Sequence, residues 1–273
     1  MNLFVTALNS GSNGNCYYIG NKDEAVLVDA GISCREIEKR MDRLGLSIKK
    51  VKALFISHEH ADHIRGARVL SKKYQLPLYI TPATLANAYF DPKHPFTVRL
   101  YPYQPVQAGS LKITAFPKMH DAKDPQSFII QANETCVGVF TDIGEPCEHV
   151  IKNFKLCNAI FLEANYDDKM LETGPYPIYL KRRISGNKGH LSNLQALELF
   201  CQNKPEFMSH IFLSHISKEN NDPKLAQDLF KNHCSNVEIV LTSRTSEIPV
   251  FEIGSNVKIK EEQIQLFPSG SIT

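Results

Sequence analysis

Apolar and polar positions along this chain follow two different periods. Short apolar runs recur as LFVTAL (3–8), CYYIG (16–20), AVLVDA (25–30), ALFIS (53–57), LPLYIT (76–81), SLKITAF (110–116), SFIIQA (127–132), TCVGVFTD (135–142), NAIFLEAN (158–165), HIFLSH (210–215) and VEIVLTS (237–243). Runs of this length, rich in Val, Ile, Phe and Tyr and bounded by Gly, Asn, Asp or Pro, predict buried strands. Helices are expected between some of them. Ser33 with Glu36 three residues on forms a capping box, predicting a helix to about Leu44. A second helix is expected from Asp62 to about Tyr74, and Asp222-Pro223 start a third that runs to about His233. Beyond residue 250 the pattern weakens to one last strand and a loose tail. Hairpin-like strands followed by strand–helix alternation predict an α/β (α+β) fold. Two sheets pack face to face with helices outside, as one domain over residues 1–273.

Composition changes this picture little. The chain has 273 residues, 42% hydrophobic and 22% charged, with a formal net charge of +2. Such a balance neither favours nor excludes nucleic acid, so any basic footprint must be local. No stretch approaches 18 consecutive apolar residues, so no membrane span is expected. The start, MNLFVTALNSGSNGN, turns polar too early for a secretory signal. The seven cysteines form no CxxC pair, which reads as reduced thiols in a cytoplasmic protein.

Candidate chemistry changes it a great deal. HEHADHIRG (58–66) follows a buried strand and crowds His58, His60, Asp62 and His63 into six residues. On a helix His60 would point away from His58 and Asp62. At an extended strand end His58 and His60 share a face and can reach one ion. Asp62 and His63, where the chain turns into a helix, can face a second. A polar turn needs no such density of ligand side chains.

HxHxDH after a strand resembles the signature of the metallo-β-lactamase superfamily, a four-layer αββα sandwich with its metal site at one edge. The resemblance implies further ligands at later strand ends. His120 in FPKMHD, Asp142 in GVFTDIG and His215 in IFLSHIS stand in that order. It implies one divalent ion on His58, His60 and His120, another on Asp62, His63 and His215, and Asp142 between them. Asp29, in LVDAG, matches a position that supports a ligand histidine by accepting its hydrogen bond. Two divalent ions with a bridging hydroxide leave such a site net positive, suited to an anionic substrate. They also suit phosphodiester hydrolysis by a metal-activated hydroxide. Nitrogen and oxygen ligands fit zinc, manganese or iron. Only 72 residues separate Asp142 from His215, too few for the inserted β-CASP-type domain of RNase J-like enzymes.

A second stretch, GPYPIYLKRRISGNKGHLSNL (174–194), crowds Lys181, Arg182, Arg183 and Lys188 around His190. Ser192 is a helix N-cap candidate, so free backbone amides beside this basic cluster would make a phosphate cradle. A solvated basic helix end is the alternative. With SGSNGNC, VDAGIS, NYDDKML and LSHISKENN, these motifs resemble the YycJ (WalJ/VicX) branch from about residue 2 to 250. The resemblance implies a metal-dependent nuclease, with DNA exonuclease activity leading and DNA ahead of RNA as substrate. It gives His190 a role in transition-state stabilisation or leaving-group protonation, beside Asp62 and Asp142. The GSNGN turn is expected either to approach the site or to serve as a tight hairpin. Tyr166 and Tyr176 are candidates for base stacking. His94, His149, His210 and His233 receive no role. Two other readings stay open: a small-molecule metallohydrolase for a cyclic phosphodiester, thioester or lactone, and a nucleic-acid-binding or regulatory protein with residual catalysis.

Overall fold

Strands that are apolar at every position need cover on both faces, and two sheets between helix layers supply it. The computed structural model describes residues 1–88, 94–234 and 236–254. One sheet holds β1 (Leu3–Asn9), β2 (Cys16–Gly20), β3 (Ala25–Val28), β4 (Val51–Phe55), β5 (Leu78–Ile80), β6 (Thr97–Arg99) and, at its other edge beside β1, β14 (Phe251–Ile253). The other sheet runs β7 (Val106–Ala108), β8 (Leu111–Pro117), β9 (Gln126–Ala132), β10 (Thr135–Phe140), β11 (Ala159–Glu163), β12 (His210–Ser214) and β13 (Glu238–Leu241). In each sheet an antiparallel part passes into a parallel one, at β3–β4 and at β10–β11. Parallel strands send their C-terminal ends to the same edge, and the ligand-type residues lie there.

The alternation of side chains decides which residues meet. Val26, Val28, Phe55, Val137, Val139, Phe161 and Phe212 belong to the core between the sheets. Leu27 and Leu54 pack under the helices on one side, while Phe140, Ile160, Ile211 and Leu213 do so on the other. Phe161 and Phe212 stack with ring centroids 4.5 Å apart at the centre of the sandwich.

The helix of 34–43 forms on its Ser33 cap, and Asp222 caps the helix Pro223–Lys231. The helix expected over 62–74 is instead two helices, Ala61–Ile64 and Ala67–Tyr74. Gly66 sits at the break. Its amide donates to the Ala30 carbonyl at 2.8 Å, and a Cβ there would lie 2.1 Å from the Ile32 carbonyl oxygen. β6 and β7 escape the apolar pattern because both are edge strands of only three residues, too short to show a period. Of the segment beyond 250, β14 is the last strand, and the tail lies outside the described residues.

Candidate metal centre

Three residues at the strand ends have left-handed backbone: Asp29 (φ 60°), Asp142 (φ 56°) and His215 (φ 54°). By strict alternation each would point into a helix layer, since Leu27, Phe140 and Leu213 do. A left-handed residue breaks the alternation and turns the side chain into the edge between the sheets. That conformation costs on the order of 1–3 kcal/mol per non-glycine residue, so the surrounding packing must hold it.

The side chains converge in two groups. His60 Nδ1 lies 3.0 Å from His58 Nε2 and 3.3 Å from His120 Nε2. Asp62 Oδ2 lies 3.5 Å from His63 Nε2 and 3.6 Å from His215 Nε2. Asp142 stands between the groups, with Oδ2 3.2 Å from His63 Nε2 and Oδ1 3.9 Å from His120 Nε2. His58, His60 and His120 form one set of atoms close enough to share an ion, and Asp62, His63 and His215 form another.

Most of the rings are held by the nitrogen facing away from the cluster. Asp29 Oδ2 accepts from His63 Nδ1 at 2.7 Å, and Ser57 donates to the same carboxylate through its amide and hydroxyl. His58 Nδ1 meets Ser57 Oγ at 2.9 Å, and His120 Nδ1 meets the Gly189 carbonyl at 3.1 Å. His215 Nδ1 meets Glu163 Oε1 at 2.8 Å. Such bonds fix the tautomer and leave Nε2 free for a ligand. His60 offers Nδ1 instead. Asp142 Oδ2 and His215 Nε2 are buried with no hydrogen-bond partner in the protein. A buried carboxylate oxygen and ring nitrogen left unpaired, aimed at other ligand atoms, fit a bound cation.

Electrostatics point the same way. Burial opposes a charged His63, but Asp142, Asp29 and Asp62 outweigh it and raise its pKa well above the ordinary value. Burial likewise opposes His215, yet Asp142, Asp62 and Glu163 raise it to about 10. Burial would raise Asp142, but His215 and His63 hold it well below the carboxylate range. His58 is lowered by burial, and His120 is pushed down by it to about 4. The upward shifts of His63 and His215 share one cause: carboxylates crowd this point and favour positive charge beside them, which a divalent ion would supply.

Glu163 escapes a reading based on ligand motifs. It ends β11 on the face of Ala159 and Phe161, so plain alternation carries it to the site. Its fully buried carboxylate accepts from His190 Nδ1, His215 Nδ1 and the amides of Asp142, Ile143 and Leu191. Burial opposes its charge, but His190 and His215 bring its pKa down to about 2. The signal was an acid closing an otherwise apolar strand. Three more residues join it. Asn15, in the GSNGN turn, places Nδ2 3.0 Å from His63 Nε2, so that turn both links β1 to β2 and reaches the site. Buried Lys118 donates to the Thr141 carbonyl beside Asp142. Asp121 sets Oδ1 3.3 Å from His120 Nε2 and pairs through Oδ2 with Arg183 at 2.6 Å.

The basic stretch divides. Arg183 lines the cleft over the cluster, a space of about 320 Å³ shared with Ser12, His60, Asp62, Asp142 and His190. Lys181 instead donates to the Glu172 carbonyl, and Arg182 and Lys188 are exposed outside the cleft lining. The free amides expected at Ser192 are absent. Its hydroxyl accepts from Gln195, its amide donates to the Gln195 side chain, and the Asn193 amide donates to Tyr166. The capping box and the Tyr166 carbonyl together take up these amides. Tyr166 is buried at 3% exposure. His94, His149, His210 and His233 bond to Ser71, Tyr103, Ser209 and Leu229, away from the cluster. All seven cysteines are free thiols, and no helix of the described residues is long and apolar enough to cross a membrane.

Gly31 lets two backbone segments touch here. A Cβ on it would fall 1.6 Å from the Asp62 carbonyl oxygen, which also accepts from the Asn15 amide at 2.7 Å. Gly31→Ala must push the Asp62–His63 turn outward. The expected result is roughly 10–100-fold weaker metal binding, the usual effect of disturbing groups that position ligands. Calorimetric titration with Zn²⁺ checks it, and wild-type affinity would contradict the assigned packing.

Two apposed sheets that bring buried histidines and aspartates together at the C-terminal ends of their strands define a metallohydrolase of the αββα class. A family model of the metallo-beta-lactamase superfamily matches residues 10–130. The chain is 33% identical over 234 residues to exodeoxyribonuclease YycJ of Bacillus anthracis, covering 83% of this chain and 87% of that one. It is 30% identical over 241 residues to exodeoxyribonuclease WalJ of Streptococcus pneumoniae, covering 85% and 88%. The crystal structure of the metallo-beta-lactamase fold protein YhfI from Bacillus subtilis superposes with a TM-score of 0.70 at 18% identity, over 90% of this chain and 99% of that one, which shows the shared fold. The chain belongs to the metallo-β-lactamase superfamily, within its YycJ/WalJ branch.

Proposed function

We propose that this protein is a metal-dependent exodeoxyribonuclease that hydrolyses phosphodiester bonds with two divalent ions, zinc, manganese or iron. The observation that carries this is the placement of Asp142 between two converging ligand groups, with its Oδ2 and His215 Nε2 buried without a hydrogen-bond partner in the protein. His58, His60 and His120 would hold one ion and Asp62, His63 and His215 the other, with Asp142 shared. The names of the relatives, both exodeoxyribonucleases, support DNA as the polymer. Seven free thiols suit the reducing cytoplasm.

When bound, such ions lower the pKa of a water and draw charge from a phosphate. The rest falls to the chain's own residues. Arg183 and the exposed Arg182 and Lys188 attract and position a polyanion. Glu163 holds His190 through Nδ1 at 2.9 Å, which leaves the other ring nitrogen to face the cleft. From there His190 stabilises charge on the phosphate or protonates the leaving oxygen.

End-labelled single- and double-stranded DNA and RNA, supplied with Mn²⁺ or Zn²⁺, test this reading. Metal-dependent release of deoxymononucleotides is expected. Hydrolysis of bis-p-nitrophenyl phosphate with every polymer left intact would instead indicate a small substrate. His190→Ala should retain both ions by metal analysis yet turn over about 10²–10⁴-fold more slowly. Wild-type rates in that variant would remove His190 from the chemistry.

A further inference from the structure

The cleft over the ligand cluster is not the only space at this edge. A second cavity of about 200 Å³ adjoins it, and the two share Ser12, Arg183, His190 and His215 as a common wall. Its other side is different in character. Tyr176, Leu180 and Ile184 line it with aromatic and aliphatic surface. Asn220, 1% exposed, also lines it, and its Oδ1 is buried without a hydrogen-bond partner.

From these features we infer that this cavity seats the terminal nucleotide of the strand being cut, resting on the nuclease reading above. A flat heterocycle with a polar edge matches the lining. The Tyr176 ring and the aliphatic side chains cover its faces, and the polar residues Asn165, Ser217 and Asn220 of the lining meet its edge. Arg183 and His190, on the common wall, stand where the phosphate of that nucleotide would pass into the cleft. The volume lies below the ~300–1,000 Å³ of sites that enclose drug-sized ligands. It holds one nucleoside and not a continuing strand. A nucleotide with a free end enters, and an internal one cannot, because its chain must continue on both sides. This gives the exonucleolytic mode a physical origin and places part of it in residues 176–184, outside the metal ligands.

Equilibrium binding to the metal-loaded protein tests this without requiring turnover. Deoxyadenosine 5′-monophosphate should bind at least about ten-fold more tightly than deoxyribose 5-phosphate, the contribution of one stacked base. Tyr176→Ala, and Leu180→Trp, which fills the cavity, should each abolish that difference with metal content unchanged. Leu180→Trp should also slow mononucleotide release from linear DNA. Equal binding of the two phosphates by the wild type, or undiminished base dependence in both variants, would overturn the assignment. Closed circular single-stranded DNA should stay intact while linear DNA is degraded, and cutting of the circle would also overturn it. Base-dependent binding in a protein that degrades no polymer would sink the nuclease reading while leaving the cavity a nucleotide site.

Discussion

Asp142→Asn should lower turnover by about 10³-fold or more and leave the protein short of metal. Its shape is that of the native residue, so packing survives. What changes is charge and polarity at one point. Asp142 Oδ2 is buried without a hydrogen-bond partner and lies 3.2 Å from His63 Nε2, while Oδ1 faces His120 and His215 at 3.9 and 3.5 Å. An amide puts hydrogens where both groups need an acceptor and removes the negative charge between them. Loss of several kcal/mol of metal-derived stabilisation, at about 1.4 kcal/mol per decade, gives that magnitude. Metal analysis and hydrolysis of bis-p-nitrophenyl phosphate measure both parts. Full metal content with full activity would show that Asp142 lies outside the centre.

Glu163→Ala is the substitution expected to cost the most stability. The carboxylate satisfies five donors from three segments of chain: Asp142 and Ile143 after β10, His190 and Leu191 before the helix Asn193–Asn203, and His215 after β12. Alanine leaves those donors buried without an acceptor, and breaking such a charged network costs about 3–5 kcal/mol. Urea unfolding of the metal-free protein should show it as a lower midpoint with an unchanged slope. Glu163→Gln keeps the volume, so a smaller loss there would separate lost charge from lost packing. An alanine variant as stable as the wild type would mean the network contributes nothing.

Much of this was legible in the chain. The central strands β3, β4, β10, β11 and β12 are apolar and closed by polar residues, so they could be placed from pattern alone. The HxHxDH cluster could be read as a gathering of metal-ligand side chains, because residues two apart at a strand end share a face. The helix N-caps at Ser33 and Ser192 were equally visible. The short edge strands β6 and β7 were not, since three residues are too few to show a period.

Sequence therefore determined what is set by local chemistry: which segments are strands, where helices start, and which residue types wait at the strand ends. Tertiary structure decided which of them meet. The left-handed turns at Asp29, Asp142 and His215 are held by packing; Asp and His enter that region more readily than most residues, but type alone does not pick these three from the chain's other Asp and His. Glu163 looked like any acid after a strand until β10, β12 and the His190 segment closed around it. Of four basic residues only Arg183 reached the cleft, because the helix Ile178–Ile184 can turn only part of its surface inward. Contacts between residues far apart in the chain depend on how layers stack, and that stacking is a property of the whole core.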